Sequence, residues 1–276
     1  MKNKFLLLVT FTISSTAFCQ MDTIYSNNEK LAVNVKEITE DAVKYTYPNE
    51  DLINTSYKNT IQKIVLKSGR VQTFTNKIVY NSIIKPSDDY KVIITNLESD
   101  IKGLYRLGNI NASIKGGTVF SNVDKMKDIA YKKLQKIATL MGGNIVYVTN
   151  EHSATGQMGG YFQAGKLTEA SFSGYLYTNK LLDFNELKNK ITVNSEYKVL
   201  EYFDLGTSDR DYGYDNPMNV FYKFSELYNE NGIIYLVGLN KRNKETLFQV
   251  ANFDDTNFYL YTKDKTGRSY QYKFKF

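Results

Sequence analysis

Residues 160–167 form a glycine-rich segment that carries Lys166 at the spacing of a phosphate-binding loop. Such a loop needs a Ser or Thr directly after the lysine to coordinate magnesium, and it opens a helix whose N-terminus faces the phosphates. This chain has Leu167 at that position, and the alternating residues 170–175 predict a strand instead of a helix. The segment therefore does not predict a nucleotide site.

A mobile glycine-rich loop between two strands is the better prediction for residues 153–160. Binding residues are common on loops that a rigid scaffold positions, so this loop is the first candidate for ligand contact. The candidate contacts are Ser153, Gly156, Gly159 and Gly160.

Three alternating aspartates, Asp209, Asp211 and Asp215, could turn several carboxylates toward one hard cation such as calcium. An EF-hand loop, however, needs a glycine where this chain has Tyr214 and a glutamate where it has Val220. A solvated acidic turn is therefore the favoured prediction, with a calcium site as the alternative.

His152 is the single histidine of the chain, which excludes a two-histidine metal site and leaves one candidate base for a hydrolytic triad. Its neighbours Glu151 and Ser153 would point to the opposite face of an extended chain, so the three cannot form a triad by themselves. Paired carboxylates for glycosidic chemistry can come from residues far apart in the sequence. A hydrolase of envelope glycans or lipids thus stays open as an alternative, and no cofactor is predicted.

Residues 1–19 predict a secretory signal peptide. A lysine-bearing start precedes an apolar core over residues 5–13, and Ala17 and Cys19 occupy the small-residue positions before the cleavage point. Cleavage before Gln20 would place the mature protein in the periplasm or outside the cell. The apolar core is too short to span a bilayer, which takes about 20 residues.

Cys19 also allows a second hypothesis, a lipoprotein signal in which this cysteine is acylated and becomes the first mature residue. Lipoprotein processing resembles a pattern with Gly, Ala or Ser before the cysteine, and Phe18 departs from it. Cys19 is the single cysteine of the chain, so cleavage after it would leave a mature protein that folds without disulfides.

The composition favours a mostly β protein, with 42% hydrophobic residues, 23 Tyr, 16 Phe and only 3 Pro. Aromatic and β-branched side chains suit pleated, half-buried surfaces. The formal net charge of +6 would fall to +4 with the loss of Lys2 and Lys4. This mild excess does not predict nucleic acid as a partner.

Residues 20–87 predict an N-terminal β module. Partial period-two alternation predicts short strands near Ile24 and over residues 31–35, 42–47, 61–66 and 71–74, with a hairpin turn at residues 67–70. The Val-x-x-Ile step at Val35 and Ile38 and the terminal Gly-Arg hairpin resemble an opening module of secreted Bacteroidetes proteins. The resemblance implies an SH3-like or Sm-like β meander and assigns no activity.

One long helix is predicted over residues 123–141. Apolar residues recur there at three- and four-residue steps and form one face: Val123, Met126, Ala130, Leu134, Ile137 and Met141. Ser121 and Asp124 predict a capping-box-like start, and Gly142 and Gly143 predict the end.

The opposite face of this helix is basic. Its lysines are Lys125, Lys132, Lys133 and Lys136. A solvated surface is the favoured interpretation, and peripheral contact with an anionic membrane surface is the alternative.

Residues 88–182 predict a central α+β domain of order β-β-α-β-β, with strands at residues 90–95, 104–112, 144–149 and 170–177 around the helix. Ala130, Leu134, Ala138 and residues 142–146 resemble the helix-to-strand signature of small envelope domains, the YbjQ-like and RcsF-like families. The resemblance implies a fold and an envelope setting. The cysteines of the RcsF-like sensors are absent, so disulfide-based sensing is not implied.

Residues 190–276 predict a C-terminal antiparallel β meander, either half of a sandwich or a small barrel. Asn231-Gly232 between apolar runs predicts a type I′ hairpin, because both residues tolerate positive φ. The alternating Tyr270, Tyr272, Lys273 and Lys275 near the end predict a solvated strand face, with carbohydrate stacking on the tyrosines as the alternative.

Together these features predict a non-enzymatic binding or structural component of the bacterial cell envelope, whose partner is an envelope protein or cell-surface component. The alternative in the same compartment is a lipid-anchored sensor or adaptor. An enzyme should show a cleft with converging polar side chains, whereas an adaptor should show an exposed apolar patch or an open sheet edge.

Overall fold

The computed structural model describes residues 21–26, 29–74, 80–160, 164–206, 211–215, 217, 219–240 and 244–276. The chain divides into two compact units, Met1–Thr75 and Asn76–Phe276. Strands make up most of the described structure, so the α+β, mostly β fold class predicted from the sequence is confirmed. The described helices are too short or too polar to cross a membrane. The predicted signal peptide, which includes Cys19, lies outside the described residues.

The first unit is one antiparallel sheet in the order β4-β3-β2-β1-β5-β6. Its strands are β1 (Asp22–Ser26), β2 (Glu29–Ile38), β3 (Ala42–Thr46), β4 (Asn54–Tyr57), β5 (Ile61–Val65) and β6 (Val71–Thr73). Its core contains Ile24, Val33, Val43, Tyr45, Ile61 and Ile64. β4 has the polar sequence Asn-Thr-Ser-Tyr. It lacks the alternation of apolar residues from which the neighbouring strands were predicted.

The second unit begins with the predicted β-β-α-β-β order. Its strands are β7 (Ile93–Thr95), β8 (Tyr105–Lys115), β9 (Ile145–Ala154) and β10 (Glu169–Thr178), in the order β7-β9-β10-β8. The strand predicted to begin at Tyr90 starts only at Ile93, because Pro86–Lys91 forms a 3-10 helix whose fixed proline φ suits its first turn.

Helix α1 (Val123–Leu140) packs its apolar stripe on β8, β9 and β10. The predicted cap at Ser121 is wrong by one residue, since the Asn122 side chain accepts the hydrogen bond from the Lys125 backbone N–H. The predicted end is confirmed. Gly142 has φ +81°, its N–H donates to the Thr139 carbonyl, and the Gly143 N–H donates to the Ala138 carbonyl, which is a Schellman motif.

The remaining strands close into a barrel. They are β11 (Glu196–Leu205), β12 (Asp211–Asp215), β13 (Phe221–Glu230), β14 (Ile233–Asn240), β15 (Glu245–Phe253), β16 (Asn257–Lys263) and β17 (Ser269–Lys275), and they follow helix α2 (Phe184–Lys190). The ring closes because β11 pairs with β13 at one end and with β17 along most of its length. The hairpin at Asn231-Gly232 has φ of +53° and +85°, as predicted for a type I′ turn.

Aromatic side chains fill the barrel. Phe224, Phe248, Phe258 and Phe274 are fully buried, and the rings of Phe258 and Phe274 stack with centroids 5.0 Å apart. Leu187 of α2 is buried in the same core. The prediction of a solvated face at the chain end is wrong for Tyr272, because its ring packs in this cluster against Tyr222 and Phe248.

The barrel and the central sheet share a hydrophobic core around α1. Ala251, Tyr259 and Tyr261 of the barrel are buried in one cluster with the helix residues. Two buried glutamines tie the helix end to the barrel: the Gln249 side chain donates to the Met141 carbonyl, and that of Gln271 to the Leu140 carbonyl, at 3.1 and 2.9 Å. These bonds satisfy carbonyls that a helix end otherwise leaves without partners.

Candidate functional site

A cavity of about 330 Å³ lies where the end of α1 and the central sheet meet the barrel. This volume falls in the range of small-molecule sites. The cavity is lined by residues 82–84, 178–182, 232–234 and 250–254, together with Leu107, Met141, Gly142 and Asn144. Six separate parts of the chain therefore build its walls.

Two asparagine side chains hold the segment of residues 81–84 across the cavity. The Asn144 Nδ2 donates to the Asn81 carbonyl at 3.3 Å, and the Asn252 Nδ2 donates to the Ile83 carbonyl at 3.1 Å. Asn252 is itself fixed, because its Oδ1 accepts from the Phe253 N–H. This wall is thus anchored at both ends by amide groups from the central sheet and the barrel.

The buried amide of Asn144 differs from the other polar groups of the cavity lining in its incomplete hydrogen bonding. Its Nδ2 also donates to Asn179 Oδ1, and these two acceptors fix which end of the amide is the nitrogen. Its Oδ1 is fully buried and has no hydrogen-bond partner among the described residues. A buried acceptor without a donor costs about 1–3 kcal/mol. Because this oxygen is fully buried, a ligand N–H or O–H in the cavity would recover that free energy only if the neighbouring side chains moved to expose it.

Aliphatic side chains form another part of the wall, among them Ile83, Leu181, Ile233 and Val250. The hairpin of β13 and β14 closes against Leu181 because Gly232 has no side chain: a Cβ there would lie 2.6 Å from Leu181 Cδ1. The cavity can therefore enclose an apolar group beside the Asn144 amide.

Charged groups stand at the rim of the cavity. Lys180 is exposed, and its backbone bonds to Thr178 in the turn after β10. Burial would favour the neutral form of Asp254, but hydrogen bonds from the N–H groups of Thr256 and Asn257 and from the Thr256 hydroxyl outweigh it and lower the pKa of Asp254. The Asp254 carboxylate therefore accepts hydrogen bonds from within its own turn. For this reason the enclosed part of the cavity suits an uncharged group.

The loop candidates from the sequence lie far from this cavity. Asn144 precedes β9 and the loop follows it, and a strand of that length separates its ends by about 30 Å. Ser153 belongs to β9, so the prediction that the loop begins there is wrong. Gly156 donates to Thr168 Oγ1 and packs on the Val119 backbone, while Gly159 and Gly160 are exposed.

The aspartate candidates are not brought to the cavity. Asp211 and Asp215 begin and end β12, where they pair with Leu205 and Glu201, so the predicted acidic turn is wrong for this stretch. Asp209 lies outside the described residues. Within the residues that the structure describes, no three His, Cys, Asp or Glu side chains gather closely enough to hold a metal ion.

His152 lies on β9 with its Nε2 3.4 Å from Glu169 Oε1, and its side chain is exposed. On the helix, Lys125 and Lys132 are exposed, while Lys133 and Lys136 are half-buried. The Lys133 Nζ donates to the Ser113 carbonyl at 3.4 Å. The predicted basic face is therefore only partly available for contact with another surface.

Asn144, Asn252 and the segment of residues 81–84 were not predicted as site residues from the sequence. Asn144 was visible only as the residue after the Gly142-Gly143 helix end, and nothing near Asn252 signals a site. The proximity of these residues arises from contacts across 169 positions of the chain, as in the bond between Asn252 and Ile83.

Comparison of this chain with protein-family models, with curated proteins and with solved structures gives no match.

Proposed function

We propose that this protein is a non-enzymatic binding component of the bacterial cell envelope and that the cavity beside Asn144 is its ligand site. The observation that carries the proposal is the cavity itself, which combines aliphatic side chains with Asn144, a residue whose fully buried Oδ1 has no hydrogen-bond partner among the described residues. Ligand pockets combine apolar walls with a few fixed polar groups in this way.

The walls define the class of ligand. Ile83, Leu181 and Ile233 suit an aliphatic group, and the Asn144 oxygen calls for an N–H or O–H donor. A full charge would be costly inside, because burying an ion without a partner is unfavourable. The ligand is therefore a small uncharged molecule with an aliphatic part and one hydrogen-bond donor, either an uncharged N–H, such as that of an amide, or a hydroxyl group.

The proposed compartment is inferred from the first twenty residues. Their lysine-bearing start, apolar core and small residues before Gln20 favour export to the periplasm or beyond. The resemblance of residues 130–146 to small envelope domains is consistent with that address. Acylation at Cys19 is the alternative, in which the same binding module would be tethered to a membrane.

The test is mass spectrometry of the full chain, expressed with its own leader and purified gently from the cell envelope of a bacterium. Under native conditions we expect a bound small molecule. Ser82 is exposed at the cavity, so Ser82→Trp should cover the cavity and abolish the adduct. Ser87→Trp is the matched control, since Ser87 is also exposed but lies in the 3-10 helix outside the cavity lining.

An adduct that persists in Ser82→Trp would contradict the cavity as the site, and a wild-type protein without any adduct would count against the binding function. The same preparation, once denatured, reports the compartment: a chain that begins at Gln20 supports export without an anchor, whereas an acylated Cys19 at the N-terminus supports the tethered form.

A further inference from the structure

The central sheet has a second face, opposite α1, that the cavity does not use. Along β10, Ala170, Phe172 and Leu176 are buried toward the helix, where Phe172 packs on Tyr131 with ring centroids 6.1 Å apart. Side chains alternate along a strand, so Ser171, Ser173 and Tyr175 lie on the other face.

Cross-strand pairing extends this face over β8 and β9. Ser171 pairs with Ser113 and His152. Ser173 pairs with Asn111 and Asn150. Tyr175 pairs with Asn109 and Tyr147. Directly paired residues share a face, and the asparagines and His152 in these rows are exposed.

The residue types on this face are poor choices for a strand. Asn is depleted in strands and Ser adds little, whereas Thr and aromatic residues are favoured. A merely solvated face would be served better by Thr at the positions of Asn111, Asn150 and Ser173. The sequence therefore has small amide and hydroxyl groups at these positions in place of side chains with higher strand propensity.

The tyrosine end of the face is ordered before any partner arrives. The Arg106 guanidinium carbon lies 3.8 Å from the ring centroid of Tyr175, and its Nη2 donates to Asn109 Oδ1 at 2.7 Å. Tyr147 pairs with Tyr175 from the neighbouring strand. Aromatic rings held in place can stack on a flat ligand at little cost in conformational entropy.

We infer that this face binds a neutral polysaccharide chain. The amides and hydroxyls of its middle rows both donate and accept hydrogen bonds, as sugar hydroxyls do, and Tyr147 offers a ring for stacking. Rows repeat about every 6.8 Å along the strands, so an extended polymer can meet several rows. Charges stand at the two ends of the face, where Arg106 lies at one and the Lys115–Glu169 pair at the other.

The chemistry argues against other polymers. A nucleic acid would need cations along its path, and the rows of Ser171 and Ser173 contain no Lys or Arg. An acyl surface would need exposed apolar side chains, and the three middle rows hold amides, hydroxyls and tyrosines.

Native gel electrophoresis of the full chain tests the inference, with dextran, laminarin, galactomannan or hydroxyethyl cellulose cast into the gel and heparin as the anionic comparison. We expect at least one neutral polysaccharide to retard the wild type. Tyr147→Ala should weaken that retention about tenfold through the loss of one stacking ring. Asn111→Thr should weaken it as well while its melting temperature stays equal or rises, because Thr favours the strand.

Tyr235→Ala is the matched control, since Tyr235 belongs to another cross-strand tyrosine pair, with Tyr228, on the barrel; it should keep full retention. The melting temperature of each variant separates loss of binding from loss of fold. Retardation by heparin alone, by none of the four neutral polysaccharides, or undiminished in both sheet-face variants would overturn the inference. This result is independent of the small-molecule adduct in the cavity.

Discussion

Replacing Gly142 with alanine is expected to lower the free energy of unfolding of the second unit by about 3 kcal/mol or more. Gly142 has φ +81°, a left-handed conformation that costs an alanine about 1–2 kcal/mol. A Cβ would also lie 2.0 Å from the Ala251 carbonyl oxygen of β15. Backbone must therefore move at the point where helix and barrel meet, and denaturant unfolding followed by circular dichroism measures the cost.

Gly267→Ala separates these two contributions. Gly267 has a similar φ of +90°, but a Cβ there would meet only the flexible Lys263 side chain, at 3.9 Å. Its substitution should cost about 1–2 kcal/mol from the backbone conformation alone. Equal losses for Gly142→Ala and Gly267→Ala would show that the close approach of Gly142 to β15 is not a constraint.

Phe224→Ala should cost about 3–5 kcal/mol, the usual range for a fully buried phenylalanine. The Phe224 ring packs against Phe258 and Phe274 inside the barrel, with centroids 6.0 and 5.4 Å away. Tyr259 and Tyr261 of the barrel belong to the hydrophobic core around α1. Loss of the Phe224 ring should therefore also speed amide hydrogen exchange in that helix. Denaturant unfolding combined with hydrogen exchange provides both measurements.

Leu247→Ala is the control for the barrel, because Leu247 is 52% exposed on β15. Its effect should stay within about 0.5 kcal/mol. A Phe224→Ala protein that loses barrel protection while α1 keeps its own would contradict a shared core that unfolds as one.

Local elements could be predicted from the sequence where one chemical pattern decides them. The 3.6-residue period fixes α1, the glycine pair fixes its end, and Asn231-Gly232 fixes a type I′ hairpin. The cap shifted by one residue because Ser121 and Asn122 are both good capping types, and only the backbone geometry chooses Asn122.

Features that depend on distant contacts could not be predicted. The alternation along β17 places Tyr272 on one face, but only the closure of β17 onto β11 turns that face into the barrel interior. Gln249 and Gln271 look like exposed polar residues of a strand until the helix end docks on them. The cavity arises in the same way, because its six segments are far apart in the chain.

The site candidates from the sequence were chosen by residue type. They were a glycine-rich loop and a run of aspartates. Gly156 instead serves close packing on Val119, and Asp211 lies in a strand. Ligand contact at Gly159 and Gly160, membrane contact through the lysine face and the resemblance to envelope families stay predictions. Asn144 belongs to the helix-to-strand signature of residues 142–146, but that signature concerns packing and gives no sign of a buried amide beside a cavity.

A crystal structure of the protein, purified from the cell envelope without steps that remove bound molecules, is the decisive test of the proposed ligand site. We expect a small uncharged molecule in the cavity, with an N–H or O–H donor within about 3.2 Å of Asn144 Oδ1 and an aliphatic part against Leu181 and Ile233. A cavity that holds only water, or that closes by movement of residues 81–84 onto the Asn144 amide, would contradict it.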